Sequence, residues 1–548
     1  MSDSLSSLPP GTQPPTNVAS RKVILNNTEL SNEISLVQVT INKTLNKIAY
    51  AKLVFIDGSP AERNFTLSND DKFKPGSTIE VQLGYNNVVE KVFAGIIVKH
   101  SIKIRQQGGS LLMIEAKDKA IKLTGARKSA YFIDKTDNQV ITTLAGDLQK
   151  DIGTTTFQHK QLLQYDCTDW DFIVTRAEVN GMLVFTDDGK LVVKKPTLTP
   201  PPVAVLTATY GVNIWEFEAE MDARRQPQQV TSQSWDYTQQ QFTSPVTGTA
   251  SFTENGNIPS SDLGSVLAAQ VKLVNNGNLK QQQMQDLSDA WALRNQLGKT
   301  TGRVRIEGNA AVKPGTMITL AGVGDRFNGN VFVTGVLHHY EGYWQTDIQF
   351  GWREEWFYKK DNVMEKPASG LLPGINGLQI GQVKSVDDTE EGGQYRIKVH
   401  VPSVTSGNEG IWARVATLDA GADRGIYFRP QTDDEVVLGF LNDDPREAII
   451  LGYLHSKDAH KWPFEESEKN YGIVTKEGLK LLFDETNKKI TLLAPSGSGE
   501  KTIIINDSGS MEMKDENQNS IKMDTSGITI QAGSGKNVTI KGTQVLIN

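Results

Sequence analysis

The sequence predicts a mainly β protein. Barrels with a few helices come first, a small five-stranded barrel follows, and the chain closes in a thin β-helical prism shared between several copies. Three observations carry this. Short alternating runs broken by Gly, Asn and Asp recur from Lys22 onward. Helical spacing is confined to a few segments. Beyond Tyr471 the alternating runs shrink to triplets, and Phe483 is the only aromatic residue left.

Size and composition set the bounds. A chain of 548 residues calls for three or four domains. Its 38% hydrophobic and 22% charged residues are ordinary for globular proteins. A net charge of -7 gives no reason to expect a nucleic-acid partner. One cysteine, Cys167, permits neither an intrachain disulfide nor a Cys-rich zinc site. No apolar run reaches the length of a membrane helix. Residues 1–20 are rich in Ser, Pro and Thr without an apolar stretch, so a secretory signal is not expected. Synthesis and folding in the cytoplasm follow as the expectation.

In chain order, residues 1–21 read as a disordered tail with little to bury. Residues 22–365 form the main body. Its strands begin with Ser35 to Ile41, Ala51 to Phe55, Thr78 to Tyr85 and Val92 to Val98, the spacing of a small barrel or sandwich. Val140, Ile141, Leu144 and Leu148 predict a helix over residues 137–150. Thr168, three residues before Asp171, starts a second helix that ends near Gly181. A third spans residues 281–298, with Met284, Leu287, Ala290, Trp291 and Leu297 on one stripe that Arg294 interrupts. Residues 224–278, rich in Gln, Ser, Thr and Asn, read as a loosely packed insertion. β-signals return over 301–351.

The Pro/Gly cluster at 366–377 is a linker. It opens a segment, 366–460, whose five or so strands over 378–455 suggest an OB-fold barrel. Residues 461–548 make up a linker and the spike-like end. There the triplets Ile490-Thr491-Leu492, Ile503-Ile504-Ile505, Met511-Glu512-Met513, Ile521-Lys522-Met523, Ile528-Thr529-Ile530, Val538-Thr539-Ile540 and Val545-Leu546-Ile547 recur with Gly, Asn, Asp and Ser between them. A short alternating strand cannot bury its face alone, whereas stacked turns can. A trimeric β-helix or prism fits this better than a sandwich of hairpins.

Catalytic patterns are missing: no GxSxG, HExxH, CxxC or phosphate loop occurs, so no enzyme activity, catalytic residue or cofactor is expected. Cys167 precedes a helix, but a small residue in a loop is the favoured reading. His338 and His339 are neighbours on a strand and point to opposite faces, so they cannot share a metal. The pairs Asp387-Asp388, Asp433-Asp434 and Asp443-Asp444 read as solvated turn caps. In the OB segment, Trp412, Tyr427 and Phe428 with Arg396, Lys398, Arg414, Arg424 and Arg429 suit single-stranded nucleic acid. The acidic clusters Asp387-Asp388-Thr389-Glu390-Glu391 and Asp443-Asp444 oppose that, and a structural adaptor is the stronger reading.

The order of parts resembles the VgrG family, spike proteins of type VI secretion and related contractile injection systems, similar to the fused hub and spike of T-even phage tails. Three stretches carry the resemblance. The first is Thr168-Asp169-Trp170-Asp171-Phe172-Ile173 with Arg176-Ala177-Glu178 and Gly181-Met182-Leu183-Val184-Phe185. The second is Pro314-Gly315-Thr316-Met317-Ile318 with Phe327-Asn328-Gly329 and the run from Val333 to His338. The third is the OB set Gly381-Gln382-Val383, Arg396-Ile397-Lys398-Val399, Trp412-Ala413-Arg414-Val415, Gly425 to Pro430, Asp434 to Phe440, and Asp444-Pro445-Arg446 with Ile449-Ile450-Leu451-Gly452. The gap between barrel and prism has no room for a lysozyme domain, no toxin domain is expected after the prism, and no histidine follows His460 to ligate a tip metal. The short prism leans toward extracellular phage-tail-like particles.

The resemblance implies a homotrimer whose hub caps a hexameric ring of inner tube protein, contacts baseplate proteins, carries effector cargo and touches the target membrane transiently. After cytoplasmic assembly the particle acts outside the cell or is injected. It also implies a PAAR-type tip protein, for which Val545, Leu546, Ile547 and Asn548 are the docking residues. No nucleic-acid, cofactor or metal partner is expected. Two alternatives stand beside this reading: an OB-fold nucleic-acid-binding protein, and a β-helical glycan-active tailspike. The tailspike needs long coils bearing paired carboxylates, which these short turns do not build.

Overall fold

The computed structural model describes residues 18–547 except 199–200, 237, 251, 278, 353–354, 361–362, 390–392, 408, 458–460 and 462–468. The chain is mainly β, 44% strand and 13% helix. It divides into two compact units, Met1–Glu365 and Lys366–Asn548.

The first unit is built on a sheet of 13 strands. At its centre the strand Leu36–Thr44 pairs antiparallel with Gly329–Tyr340, from Val39 opposite Tyr340 to Thr44 opposite Gly335. From Leu36–Thr44 the sheet runs through Tyr50–Ile56, Leu111–Lys117, Val88–Lys103 and Thr78–Tyr85 to Ala19–Leu25. From Gly329–Tyr340 it runs through Trp344–Phe350 and Thr300–Glu307 to Ile214–Met221, with Met317–Ala321 and Thr207–Thr209 branching off. Six strands thus lie on each side of the join, and the two-residue strand Thr28–Glu29 adds to one edge.

Alternation makes this sheet. Every second residue of these strands is buried, giving one core of Val39, Ile41, Leu53, Phe55 and Phe93 and a second of Val304, Ile306, Ile318, Val333 and Ile348. Gly308 is fixed by packing: a Cβ there would lie 2.0 Å from the Trp344 ring. The strand Ala19–Leu25 starts inside the segment read as a tail, because Ser20 and Arg21 pair with Gly84 and Leu83. Residues 1–17 of that tail lie outside the described residues.

Helices gather beside the sheet. Helix α1 (Asp137–Ala145) is shorter than expected. Gly146 turns the chain at φ 53°, and Gln149–Ile152 becomes a strand parallel to Lys190–Lys194. Helix α2 (Asp169–Val179) begins where the sequence predicts, with the Thr168 hydroxyl accepting the Asp171 N–H at 3.1 Å. Both pack on a two-stranded ribbon, Arg127–Thr136 with Gln158–Thr168, through Phe132, Leu162, Val140 and Phe172.

The polar insertion is ordered, not loose. The strands Gln229–Asp236, Gln241–Phe242, Val246–Thr247 and Gln270–Asn275 form one sheet, with helix α3 (Ser260–Leu267) beside it. Helix α4 (Gln281–Leu297) packs on the strand Gln229–Asp236. That strand buries Val230, Ser232 and Ser234. Two of the three inward positions are serines, so hydrophobic periodicity does not reveal it.

The second unit opens with a closed barrel of Gln379–Ser385, Ile397–His400, Ile411–Val415, Ala448–Tyr453 and Glu435–Phe440. Val383, Ile397, Val399, Ala413, Val436, Leu438 and Ile450 fill it, the five-stranded barrel the sequence predicts. Next comes a seven-stranded antiparallel meander: Asn470–Val474, Lys480–Asp484, Lys489–Ser496, Gly499–Ile505, Met511–Lys514, Ser520–Asp524 and Gly527–Gln531. The first five predicted triplets, from Ile490 to Ile530, are therefore successive up-and-down strands of this sheet.

Candidate functional site

The register of the meander puts its apolar residues in two rows on one face. One row runs Tyr471, Phe483, Ile490, Ile505, Met511, Met523, Ile528. The other runs Ile473, Leu481, Leu492, Ile503, Met513, Ile521, Ile530. Residues two apart on a strand share a face, so both rows lie on the same side. Between them on the opposite face run Leu482, Thr491, Ile504, Glu512, Lys522 and Thr529, increasingly polar toward the C-terminus.

This apolar face is bare in the single chain. Leu492 is 47% exposed, Met513 48%, Ile530 56% and Ile528 70%. The sheet curls into a groove of about 810 Å³ lined by Ile473, Leu481, Leu492, Ile503 and Ile521. Fourteen apolar side chains in one patch exceed what a monomer leaves in water. Burying the remaining half of each is worth about 1 kcal/mol. The sum is on the order of 10 kcal/mol per chain, enough to offset much of the cost of association.

The turns carry the polar chemistry. Asp515 accepts from the backbone and side chain of Asn519, at 2.9 and 2.8 Å. The Ser526 hydroxyl and then Lys522 hold the Asp524 carboxyl down at about 2. These carboxylates close turns with small polar residues; Asp515 sits at the rim of the groove, and Asp524, two residues from Lys522, lies on the other face.

The residues predicted for cap docking fall outside the meander. Val545, Leu546 and Ile547 have no strand partner among the described residues and are 49%, 77% and 88% exposed. Asn548 lies outside the described residues. The triplet Val538–Ile540 is likewise outside any strand. The first five triplets do come together, and they are joined by four residues the triplet pattern missed. These are Tyr471 and Ile473, and Leu481 and Phe483, legible as two further pairs spaced two apart.

Other candidates are occupied structurally. Cys167 is buried at the end of a ribbon strand, and burial first, then the charge of Asp171, raises its thiol pKa. His338 is buried with its Nδ1 hydrogen-bonded to the Thr346 hydroxyl at 3.0 Å, while His339 faces Glu341 on the other side. Asp388 and Asp444 are 4% and 8% exposed, not solvated. Asp388 accepts from the backbone N–H groups of Gln394 and Arg396, and Asp444 is held at about 2 by Arg446. In the barrel, Arg396 and Lys398 lie over the Trp412 ring at 5.7 and 5.8 Å, and Arg396 pairs with Asp388. Among the described residues, no group of three or more His, Cys, Asp or Glu is placed to hold a metal ion.

Comparison with known proteins adds three family matches. The model of the Alg8 N-terminal domain covers residues 15–342. The type VI secretion system/phage-baseplate injector OB domain covers residues 379–455. The phage baseplate V C-terminal trimerisation domain covers residues 489–548. Among solved structures, the 43 kDa tail protein of prophage MuSo2 from Shewanella oneidensis is similar at 12% identity and a TM-score of 0.45, over 61% of this chain and 96% of that one. A tail protein from Neisseria meningitidis MC58 is 17% identical at a TM-score of 0.43, over 62% of this chain and 99% of that one. The E. coli c3393 protein, a component of the type VI secretion system, is 12% identical at a TM-score of 0.39, over 79% of this chain and 100% of that one.

Proposed function

The chain belongs to the family of the Alg8 N-terminal domain and is a VgrG-like spike of the type VI and phage-baseplate kind, and from that premise we propose that it is the homotrimeric hub and spike of a contractile injection machine. Its hub caps the inner tube, its spike leads the tube through a target membrane, and effectors travel with it. The observation that carries this reading is the two-row apolar face, half exposed in one chain and lying largely within the trimerisation match.

The physical chemistry suits the role. Three such faces turned inward make a prism whose backbone hydrogen bonds are satisfied within its sheets. Glu512, Lys522 and Thr529 then face outward, so the prism passes through lipid under force and does not stay there. Six strands on each side of the central join give each protomer two halves, and three protomers give six, matching a hexameric tube ring. Val545, Leu546 and Ile547 at the far end are the docking points for a PAAR-type cap. The chain itself performs no hydrolysis. It assembles in the cytoplasm and acts outside the cell or in the target.

The test mixes the purified full-length chain with purified hexameric rings of the tube protein and measures mass by light scattering. A mass of three chains alone, and one trimer per ring in the mixture, is expected. A chain that stays monomeric, or a trimer that ignores the rings, overturns the proposal.

A further inference from the structure

We infer that the hub units of neighbouring copies pack together through two unlike β-faces. One is the outward face of the ribbon Arg127–Thr136/Gln158–Thr168, and the other is the outward face of the insertion sheet. The inference rests on the trimeric reading above and names where, beyond the C-terminal sheet, the copies meet.

The ribbon is apolar on both faces. Its inward residues Phe132 and Leu162 are covered by α1 and α2. Its outward residues Tyr131, Ile133, Leu163 and Tyr165 are 69%, 54%, 44% and 59% exposed. Tyr131 stands directly opposite Leu163 in the register, so these residues form one patch. Consecutive apolar residues on a strand, such as Tyr131-Phe132-Ile133, mark strands covered on both sides.

The insertion sheet repeats the arrangement. Its inward Val230, Ser232 and Ser234 are buried on the side of α4. Its outward face carries Trp235 edge-on to Phe242 at 5.4 Å, with Val274 opposite Gln233. Phe242 is 50% exposed and Val274 56%.

Symmetry and area select the occupant. A three-fold ring needs two different patches per protomer, each meeting the other on the next copy, and the ribbon and the insertion sheet are two unlike apolar β-faces of that kind. Large side chains bury about 150–250 Å² each. The four ribbon residues, about half exposed, and the three of the insertion sheet therefore supply at most ~400 Å² per partner, below the ~800 Å² per partner of an independent complex. A patch that small does not hold a free protein. It suffices for a copy already tethered through the C-terminal sheet, which raises its effective concentration to about the millimolar range.

Hydroxyl-radical footprinting of the native full-length chain tests this, with light scattering on the same sample. Tyr131 and Tyr165, 69% and 59% exposed in one chain, are expected to be oxidised at least five-fold more slowly than Tyr210, a turn residue of the same type that is 71% exposed. Val274→Asp in the insertion sheet should restore oxidation of Tyr131 and Leu163 on the ribbon while the trimer mass persists. In a complementary variant pair, Leu163→Cys with Val274→Cys in one chain should give inter-chain disulfides that neither single variant gives. If the mass is that of a trimer but Tyr131 is oxidised as fast as Tyr210, or stays protected in Val274→Asp, the inference fails and the trimer stands. A monomeric mass overturns both.

Discussion

The Arg294 guanidinium lies 2.9 Å from the Glu178 carboxylate, joining helix α4 to helix α2 across 116 positions of sequence. The side chains are 11% and 3% exposed. Arg294 also lies 4.8 Å from the ring centroids of both Trp352 and Trp356. Glu178 in turn accepts from Asn46 and from the backbone N–H of Phe357. Arg294, the one residue that spoils the apolar stripe of α4, thus helps tie this helix to the rest of the hub, as do the Trp291–Trp356 ring contact and the Lys195–Asp286 pair.

Removing Arg294 should be severe. Burial pushes the Glu178 carboxyl up despite the opposing charge of Arg294, so the pair is costly even when intact. Arg294→Ala leaves that carboxyl without its main counter-charge, and a loss of about 3–5 kcal/mol is expected. Arg294→Lys should fall between, because it keeps the charge but loses the planar stack on the two indoles. Urea unfolding followed by tryptophan fluorescence reads both. Equal midpoints for Arg294→Ala and the parent would refute the assignment.

Acid should weaken the hub through His338. Burial first, and the nearby Lys43 second, press its pKa from 6.5 to about 3. Unfolding returns the ring to its ordinary pKa, so the unfolded chain takes up the proton first as pH falls. Stability is then full above about pH 6.5 and declines toward pH 3, by at most about 1.4 kcal/mol per pH unit for this one group. In His338→Gln the dependence between pH 6.5 and 4.5 should be measurably shallower in thermal melts. An unchanged slope would show that other groups govern the acid limb.

The two faces of the C-terminal sheet should respond oppositely to charge. Leu492→Asp places a carboxylate within the apolar rows of every copy, and the mass by light scattering should drop to one chain. Thr529→Asp lies on the other face and should leave three chains together. A trimeric Leu492→Asp variant would mean that the rows are not the interface.

The tip should be separable from the trimer. Deleting residues 544–548 removes Val545, Leu546 and Ile547, which make no strand pairs among the described residues. The truncated chain is expected to remain trimeric and to lose co-purification with a PAAR-type cap. Retention of the cap at full affinity would place its docking site elsewhere.

The chain should also be inert toward glycans. Release of fragments from peptidoglycan or polysaccharide by the full-length protein is expected to stay at background. Turnover that a single substitution abolishes would contradict that.

Alternation and small-residue turns determined a good deal by themselves. The inward residues Val39, Ile41 and Leu53 of the hub, the five barrel strands, the start of α2 at Thr168 and the triplets from Ile490 to Ile530 were legible because period-two burial and N-capping are local. What only the tertiary structure decided is non-local. Ser232 and Ser234 are buried against α4, yet a serine carries no hydrophobic signal, so the insertion read as loose. Asp388 and Asp444 read as solvated although their partners, the backbone N–H groups of Gln394 and Arg396 and the side chain of Arg446, are only two to eight residues away, because the loop's conformation and not its spacing folds those groups onto them. The two apolar rows existed in the sequence as pairs spaced two apart. That they share one face required the strand register, because register fixes which residues stand opposite one another and spacing along a single strand does not.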